Sequence, residues 1–146
     1  MKKLRVYLDN CCFNRPYDDQ SQQKILLETE AKLNIQQKIK TNQVELAWSY
    51  ILDFENNDNP NEIVKLAISK WKNLSKIDII ESEKLLTKAE EIKRLGIDEK
   101  DAIHIACAIE GGAEIFFTTD NLIIKRGESI SEIKVLNPVH FFIDSE

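Results

Sequence analysis

Four acidic residues stand at positions where a carboxylate can do chemistry. Asp9 directly follows a short apolar run, and Asp120 ends the largely apolar run over 115–119; both runs are typical of buried strands. Asp101 lies in the first turn of a predicted helix, and Glu55 lies in a predicted helix that follows another apolar run. Ligands bind at the carboxyl ends of the strands in an open parallel sheet, so we expect these four carboxylates to converge on one cleft.

A cluster of carboxylates is unfavourable on its own, because like charges in partial burial repel and raise each other's pKa. Mg²⁺ and Mn²⁺ remove that penalty, since both ions prefer carboxylate oxygen and retained water. One or two such ions can polarise a phosphoryl oxygen and activate a water molecule for attack on a phosphodiester. The acidic residues therefore indicate metal-dependent phosphodiester hydrolysis.

The composition is that of a globular chain with a hydrophobic core. Of the 146 residues, 42% are hydrophobic and 31% are charged, which excludes a disordered chain. The net charge of −5 argues against a nucleic-acid binder that works by bulk electrostatics, because such proteins are usually basic. A role with nucleic acid therefore requires a local basic patch, or metal ions that link carboxylates to phosphate.

Targeting signals and cysteine usage restrict the class further. No apolar run approaches the ~20 residues that a membrane-spanning helix needs. The apolar stretch after the basic residues 1–3 ends at Asp9, so we expect no signal peptide and a cytoplasmic protein without membrane contact. Cys11, Cys12 and Cys107 form no CxxC pair and no disulfide framework, and the chain has two histidines. These counts argue against a structural zinc site.

Apolar patterning predicts strands that alternate with helices along the whole chain. The predicted strands cover residues 3–8, 44–48, 77–80, 115–119 and 133–136. The predicted helices cover 20–40, 49–56, 60–72, 82–95, 99–110 and 121–126, with a loop over 10–23 and a tail over 139–143. Unbroken apolar runs are typical of strands covered on both faces. We therefore expect one domain over residues 1–146, with a three-layer α/β/α fold and a mostly parallel central sheet.

Apolar residues also indicate which helix faces are buried. We expect Phe54 to face inward together with Ile51 and Leu52, and we expect Trp48 and Trp71 to lie in the core. The apolar set of the helix over 60–72 consists of Ile63, Val64, Leu66, Ala67, Ile68 and Trp71.

Four segments resemble the motifs of PIN-domain proteins, the nuclease family that includes the VapC-like toxins of toxin–antitoxin modules. Residues 6–10 resemble the family's opening strand and first acid, and residues 49–55 resemble its serine-to-glutamate segment. Residues 101–108 resemble its most recognisable helix, and residues 116–120 resemble the strand that carries its fourth acid. The last two segments are the strongest part of the resemblance, which covers nearly the whole chain.

The resemblance implies a single PIN-like nuclease domain over residues 1–146 that cleaves RNA with Mg²⁺ or Mn²⁺. Asp9, Asp101 and Asp120 would then bind metal directly or through water. Glu55 would complete the metal site or position the attacking water. Asp53 is a rival for that role, although the spacing from the serine favours Glu55. An antitoxin partner, as for a type II toxin, and a homodimer are implied by the family alone.

Two other functions fit the same residues. One is a binding module that keeps the PIN fold but has lost catalysis, and the four acids argue against it. The other is an α/β phosphatase that acts on small phosphoesters.

Further polar side chains lie near the predicted cleft. His104, one turn after Asp101, is expected to be a partly buried structural histidine with a hydrogen bond, although it is close enough to reach the cleft. A catalytic thiol at Cys11 or Cys12 is not expected, because a thiolate needs a base and an electropositive setting. The remaining candidates are charges that can hold phosphate, turn residues that can orient water, and an aromatic side chain that can stack on a base: Arg15, Lys125, Arg126, Asn10, Asn121 and Tyr17.

Overall fold

A five-stranded parallel sheet forms the centre of the computed structural model, which describes residues 3–144 and the side chains of residues 3–141. Its strands are β1 Leu4–Leu8, β2 Val44–Ser49, β3 Ile77–Ile79, β4 Ile115–Phe117 and β5 Lys134–Leu136. Their spatial order is β3-β2-β1-β4-β5, and each neighbouring pair is parallel. The predicted parallel α/β sheet is therefore confirmed.

Helices cover both faces of this sheet and complete the predicted three-layer fold. They are α1 Asn10–Asn14, α2 Gln23–Lys40, α3 Tyr50–Asn57, α4 Glu62–Ser69, α5 Glu83–Lys93, α6 Glu99–Glu110, α7 Asn121–Arg126 and α8 Pro138–Asp144. Helix α2 packs against α8, and α5 packs against α6. Over residues 3–144, none of the helices combines the length and the apolar character that crossing a membrane requires.

The strand order places a topological switch point beside the central strand. After β1 the chain continues towards β2 and β3 on one side, whereas β4 and β5 lie on the other side of β1. The connections that leave β1 and β4 therefore separate and open a crevice at the carboxyl end of the sheet. Asp9 directly follows β1, and Asp120 comes three residues after the end of β4. The fold thus brings both acids to this edge.

The middle of the sheet is buried because β1 has a neighbour on each side and helices above and below. Tyr7 on β1 is completely buried, and its ring stacks on Phe116 of β4 with 5.4 Å between the ring centroids. Trp48 on β2 is equally buried and meets the ring of Phe13 edge to face. Such close packing leaves side chains little freedom, so polar groups embedded in it hold fixed positions.

The prediction of a loop over 10–23 was wrong, because this segment contains α1, and the predicted tail over 139–143 belongs to the helix α8. Asp9 caps α1, and Cys12 and Phe13 on that helix are buried. Five residues are too few to show a helical period in the sequence. At the other end, the side chain of Asn137 accepts from the backbone N–H of Val139, and a proline occupies the first position of α8.

Three expected core residues lie at or near the surface instead. Phe54, Ile63 and Leu66 are largely exposed. Helix α4 buries Val64 and Ile68 on its inner face, so only part of the apolar set of this segment contacts the core. Trp71 is partly buried and packs against the core, in a 3₁₀ turn that follows α4.

Candidate active site

Asp9 stands at the end of β1, in the middle of the sheet edge at which the strands end. Its carboxylate accepts hydrogen bonds from the Thr118 hydroxyl at 3.0 Å and from the backbone N–H of Asn10 at 2.8 Å. The thiol of Cys11 also donates to it, at 3.3 Å. Asp9 is only 5% exposed. Residues that follow β1 and residues that follow β4 therefore both donate hydrogen bonds to this carboxylate and fix its position at the switch point.

The carboxylate of Glu55 on α3 meets the imidazole of His104 on α6 beside Asp9. Glu55 Oε1 and His104 Nε2 are in hydrogen-bonding contact, and Nε2 lies 4.0 Å from Asp9 Oδ1. One oxygen of each acid and one ring nitrogen all lie within 4.8 Å of one another. His104 is completely buried, whereas the Glu55 side chain is 20% exposed. Solvent therefore reaches this group of three from the Glu55 side.

The other ring nitrogen of His104 contacts a pair of buried hydroxyl groups. The hydroxyl of Tyr7 lies 2.6 Å from His104 Nδ1 and 2.6 Å from the hydroxyl of Ser49. Ser49 ends β2 and caps α3, where its oxygen accepts from the backbone N–H of Leu52. Burial raises the pKa of Tyr7 well above its usual value, so its hydroxyl keeps its proton.

Asp101 and Asp120 flank the group formed by Asp9, Glu55 and His104. Burial, together with the nearby charge of Asp9, raises the pKa of Asp101 to about 6. Asp120 is exposed and caps α7, where it accepts from the N–H groups that follow it. Its charge also contributes to the raised pKa of Asp101. The four predicted acids thus share one edge, although among the described side chains only two of them belong to the group within 4.8 Å.

The donor set and its charge fit a divalent cation. Carboxylate oxygens are the preferred ligands of Mg²⁺ and Mn²⁺, and an imidazole nitrogen stands beside them. Within the described residues, no lysine or arginine forms an ion pair with Asp9 or Glu55. The raised pKa of Asp101 reports the same uncompensated negative charge. A cation at this edge would remove the repulsion that the fold leaves in place.

Asp53, the rival of Glu55, points away from this edge. One of its oxygens accepts from the indole N–H of Trp48 at 2.9 Å, and the other accepts from Lys72 at 3.0 Å. The geometry therefore brings Glu55, and not Asp53, beside Asp9.

Two of the basic side chains that were candidates for holding phosphate have protein partners. Arg15 donates to Glu28 at 2.8 Å and to Asp18 at 2.9 Å, which ties a loop to α2. The guanidinium of Arg126 donates to the backbone carbonyl of Gly96. Lys125 is exposed at the end of α7 and is available to solvent.

Two of the three cysteines lie in settings that disfavour a thiolate. Burial raises the pKa of Cys12 well above its usual value and that of Cys107 to about 12. Cys11 is partly buried, and its thiol donates to Asp9.

The remaining candidates occupy different settings. Asn10 follows Asp9 directly, and its side-chain oxygen is buried without a hydrogen-bond partner in the described structure. Asn121 is exposed at the start of α7, and Tyr17 is exposed after α1. These two side chains are free to meet a ligand that approaches from solvent.

The sequence analysis did not identify Tyr7, Ser49 and Thr118 as parts of the site. Tyr7 looks like an ordinary strand residue, and Ser49 was considered only as the first residue of the segment over 49–55 that resembles a family motif. A signal existed for Thr118, because two consecutive threonines precede Asp120 at a strand end. Their hydrogen bonds to His104 and Asp9 follow only from the packing of distant segments.

Solved structures with a similar fold include three from bacterial pathogens. FitAcB from Neisseria gonorrhoeae is 16% identical with a TM-score of 0.59, covering 92% of this chain and 99% of that chain. VapBC2 from Rickettsia felis, bound to a DNA fragment from their promoter, is 16% identical with a TM-score of 0.56, covering 92% and 98%. VapBC-1 from nontypeable Haemophilus influenzae is 15% identical with a TM-score of 0.56, also covering 92% and 98%. At these identities the likeness establishes the fold.

A search of curated proteins finds no match to this chain. The PIN domain family model matches residues 6–128, which include all four acids and the whole switch point. That match covers most of the chain and agrees with the parallel sheet and its acidic edge, so the chain belongs to the PIN domain family.

Proposed function

We propose that this protein is a ribonuclease that hydrolyses RNA phosphodiester bonds with Mg²⁺ or Mn²⁺. One observation carries the proposal: carboxylate oxygens of Asp9 and Glu55 lie within 4.8 Å of each other, beside the imidazole of His104, at the switch point of a PIN fold. The raised pKa of Asp101 supports it, because that shift reflects burial and the nearby negative charge of Asp9.

In this proposal, each acid has a defined task. Asp9, Asp101 and Asp120 hold the metal directly or through water, and Glu55 completes the site or positions the attacking water. The bound ion would supply Lewis-acid chemistry, by polarising a phosphoryl oxygen and lowering the pKa of water. Thr118 holds the carboxylate of Asp9 in place with a 3.0 Å hydrogen bond.

The cation also reconciles an acidic protein with an anionic substrate. The chain carries a net charge of −5, and the basic groups Arg15 and Arg126 are engaged with protein partners. Phosphate would therefore be attracted chiefly by the metal. Lys125 and Asn121, both exposed on α7 next to Asp120, are placed to contact the backbone of a bound strand.

We further propose that the chain is the toxin of a type II toxin–antitoxin pair, with an antitoxin protein as its partner. The solved VapBC structures, one of them bound to promoter DNA, support this proposal by their similar fold. A homodimer and a cytoplasmic location belong to the same proposal. A small neighbouring reading frame that encodes a DNA-binding protein would be the simplest genetic support.

The test is incubation of the purified protein with a mixed RNA pool, with Mn²⁺ or Mg²⁺ and with a chelator, followed by end mapping. We expect discrete cleavage sites that require the metal and disappear with the chelator. A single-stranded DNA pool of the same sequences is the control for RNA specificity. An absence of cleavage in both metals would contradict the proposal and would favour a binding module. Turnover of a small chromogenic phosphoester without RNA cleavage would favour a phosphatase.

A further inference from the structure

The hydrogen-bond chain behind Glu55 has a direction that can be deduced from its donors and acceptors. Four side chains from four elements are joined in the order Ser49, Tyr7, His104 and Glu55. The first three are completely buried. Each buried polar group needs a partner, so the protons in this chain must be distributed consistently.

At the Glu55 end, a carboxylate that is ionised can only accept. His104 Nε2 must then carry the proton, because a lone pair facing a carboxylate would be repelled. A neutral imidazole with a proton on Nε2 has a bare Nδ1, which must accept. The Tyr7 hydroxyl, 2.6 Å away, is the donor that faces it.

At the other end, the single proton of Tyr7 is used by Nδ1. The oxygen of Tyr7 therefore accepts from the hydroxyl of Ser49, also 2.6 Å away. The oxygen of Ser49 accepts in turn from the backbone N–H of Leu52. For an imidazole with a single proton, every contact in this direction has one donor and one acceptor, whereas the reverse direction leaves Nε2 and the carboxylate as two acceptors.

We propose that His104 is a positioning residue that holds the carboxylate of Glu55 through a proton on Nε2, and that Tyr7 and Ser49 fix this tautomer from behind. The N–H also points between two carboxylates, because Nε2 lies 4.0 Å from Asp9 Oδ1. It keeps Glu55 at a fixed distance from Asp9 before any cation arrives. The expected effect of His104 on cleavage rests on the proposed ribonuclease function, whereas the position of its proton does not depend on that function.

The direct test is a long-range ¹H–¹⁵N correlation spectrum of the metal-free protein at neutral pH. The chain has two histidines, and exposed His140 is assigned by comparison with His140→Gln. We expect His104 to show a protonated Nε2 and an unprotonated Nδ1. A proton on Nδ1, alone or together with one on Nε2, would overturn the proposal.

Variants test the positioning role by its effect on catalysis. Tyr7→Phe removes one hydroxyl that does not contact Glu55, and we expect kcat for RNA cleavage to fall about 10- to 100-fold with little change in KM. Tyr50→Phe is the matched control, because the Tyr50 hydroxyl donates to Glu81, which is not part of this hydrogen-bond chain. We expect the activity of Tyr50→Phe to be unchanged. Equal activity of Tyr7→Phe and wild type would contradict the role of Tyr7.

Replacement of His104 separates positioning from packing. His104→Gln keeps an N–H that can reach Glu55, whereas His104→Leu fills space without a donor. We expect higher activity and tighter Mn²⁺ binding by calorimetry for the glutamine variant than for the leucine variant, at matched folded fraction. Equal values for the two variants would overturn the positioning role. If wild type cleaves no RNA, the proposed function fails, while the spectrum and the Mn²⁺ titration still decide this inference.

Discussion

Two buried carboxylates in this protein have opposite surroundings. Glu28 on α2 is 1% exposed, and it accepts from the guanidinium of Arg15 at 2.8 Å and from the amide of Asn137 at 2.6 Å. Asp9 is almost as buried, but it accepts only from a hydroxyl, a thiol and a backbone N–H. A full positive charge therefore neutralises Glu28, whereas no lysine or arginine among the described side chains pairs with Asp9.

The difference separates a structural carboxylate from a functional one. A buried charge with a paired cation joins segments of the fold, here the loop after α1, helix α2 and the start of α8. A buried charge without such a partner costs stability and raises neighbouring pKa values, as Asp101 shows. This cost, kept at the carboxyl ends of the strands, fits the proposed cation site.

The largest expected effect is on catalysis. We predict that Asp9→Asn lowers the rate of metal-dependent RNA cleavage by more than about 100-fold, because the amide cannot replace a charged ligand. Circular dichroism is expected to show an intact fold. Cleavage at the wild-type rate by this variant would show that Asp9 is not needed for catalysis.

The same carboxylate-to-amide change at Glu28 is expected to have the opposite outcome. We predict that Glu28→Gln lowers the free energy of unfolding by about 2 kcal/mol, because Arg15 loses a buried charged partner. Cleavage per folded molecule should stay at the wild-type level. Denaturant unfolding measures the loss, and Glu30→Gln at an exposed position of α2 is the control. If Glu28→Gln lost cleavage and kept its stability, the assignment of Glu28 as a structural carboxylate would be wrong.

Lys32 on α2 extends the comparison to a buried positive charge. It is 3% exposed and lies over the rings of Phe13 and Trp71, and burial lowers its pKa to about 7. The unfolded chain therefore binds more protons than the folded one between pH 7 and about 10.5, so stability rises with pH in that range.

We predict that the free energy of unfolding of wild type, relative to that of Lys32→Met, increases by about 2 kcal/mol from pH 7 to pH 9. Denaturant unfolding at both pH values measures this difference, and Lys24→Met at an exposed position of the same helix is the control. Parallel pH profiles for wild type and Lys32→Met would show that the buried lysine carries no such cost.

The smallest expected effect is at Asp101, which is only partly buried. Its folded pKa of about 6 exceeds the usual value, so the folded state binds more protons and stability falls as pH rises from about 4 to about 6. We predict that Asp101→Asn stabilises the metal-free protein at pH 7 by about 1 kcal/mol, after allowance for screening by solvent. Thermal unfolding with and without Mn²⁺ tests this, because the advantage should disappear when the metal is present.

The residues at the carboxyl ends of the strands were largely predictable, because their placement depends on local apolar patterns and on one topological rule. Asp9 and Asp120 follow apolar runs, and parallel strands end at a common edge, which brings both residues to the switch point. The first turn of α6, with Asp101, was predictable from its apolar periodicity. The short helices α1 and α8 were not, because each has too few residues to display a period.

The interior of the site could not be predicted from local patterns. His104 and Glu55 are 49 residues apart in sequence, and His104 and Tyr7 are 97 apart. Their contacts depend on how α3, α6 and β1 pack. His104 was predicted to be partly buried with a hydrogen bond, whereas it is completely buried, and its hydrogen-bond partners were not predicted. The exposure of Phe54 likewise depends on the packing of α3 and α4.

The most direct test of the account is scanning calorimetry of wild type and Asp9→Asn over a series of Mn²⁺ concentrations at pH 7. A cation that binds the folded protein at one hundred times its Kd would add about 2.7 kcal/mol of stability. We predict that the unfolding temperature of wild type rises with Mn²⁺ and that the rise is lost in Asp9→Asn. An unfolding temperature of wild type that stays constant up to millimolar Mn²⁺ would contradict the claim that this acidic edge is a metal site.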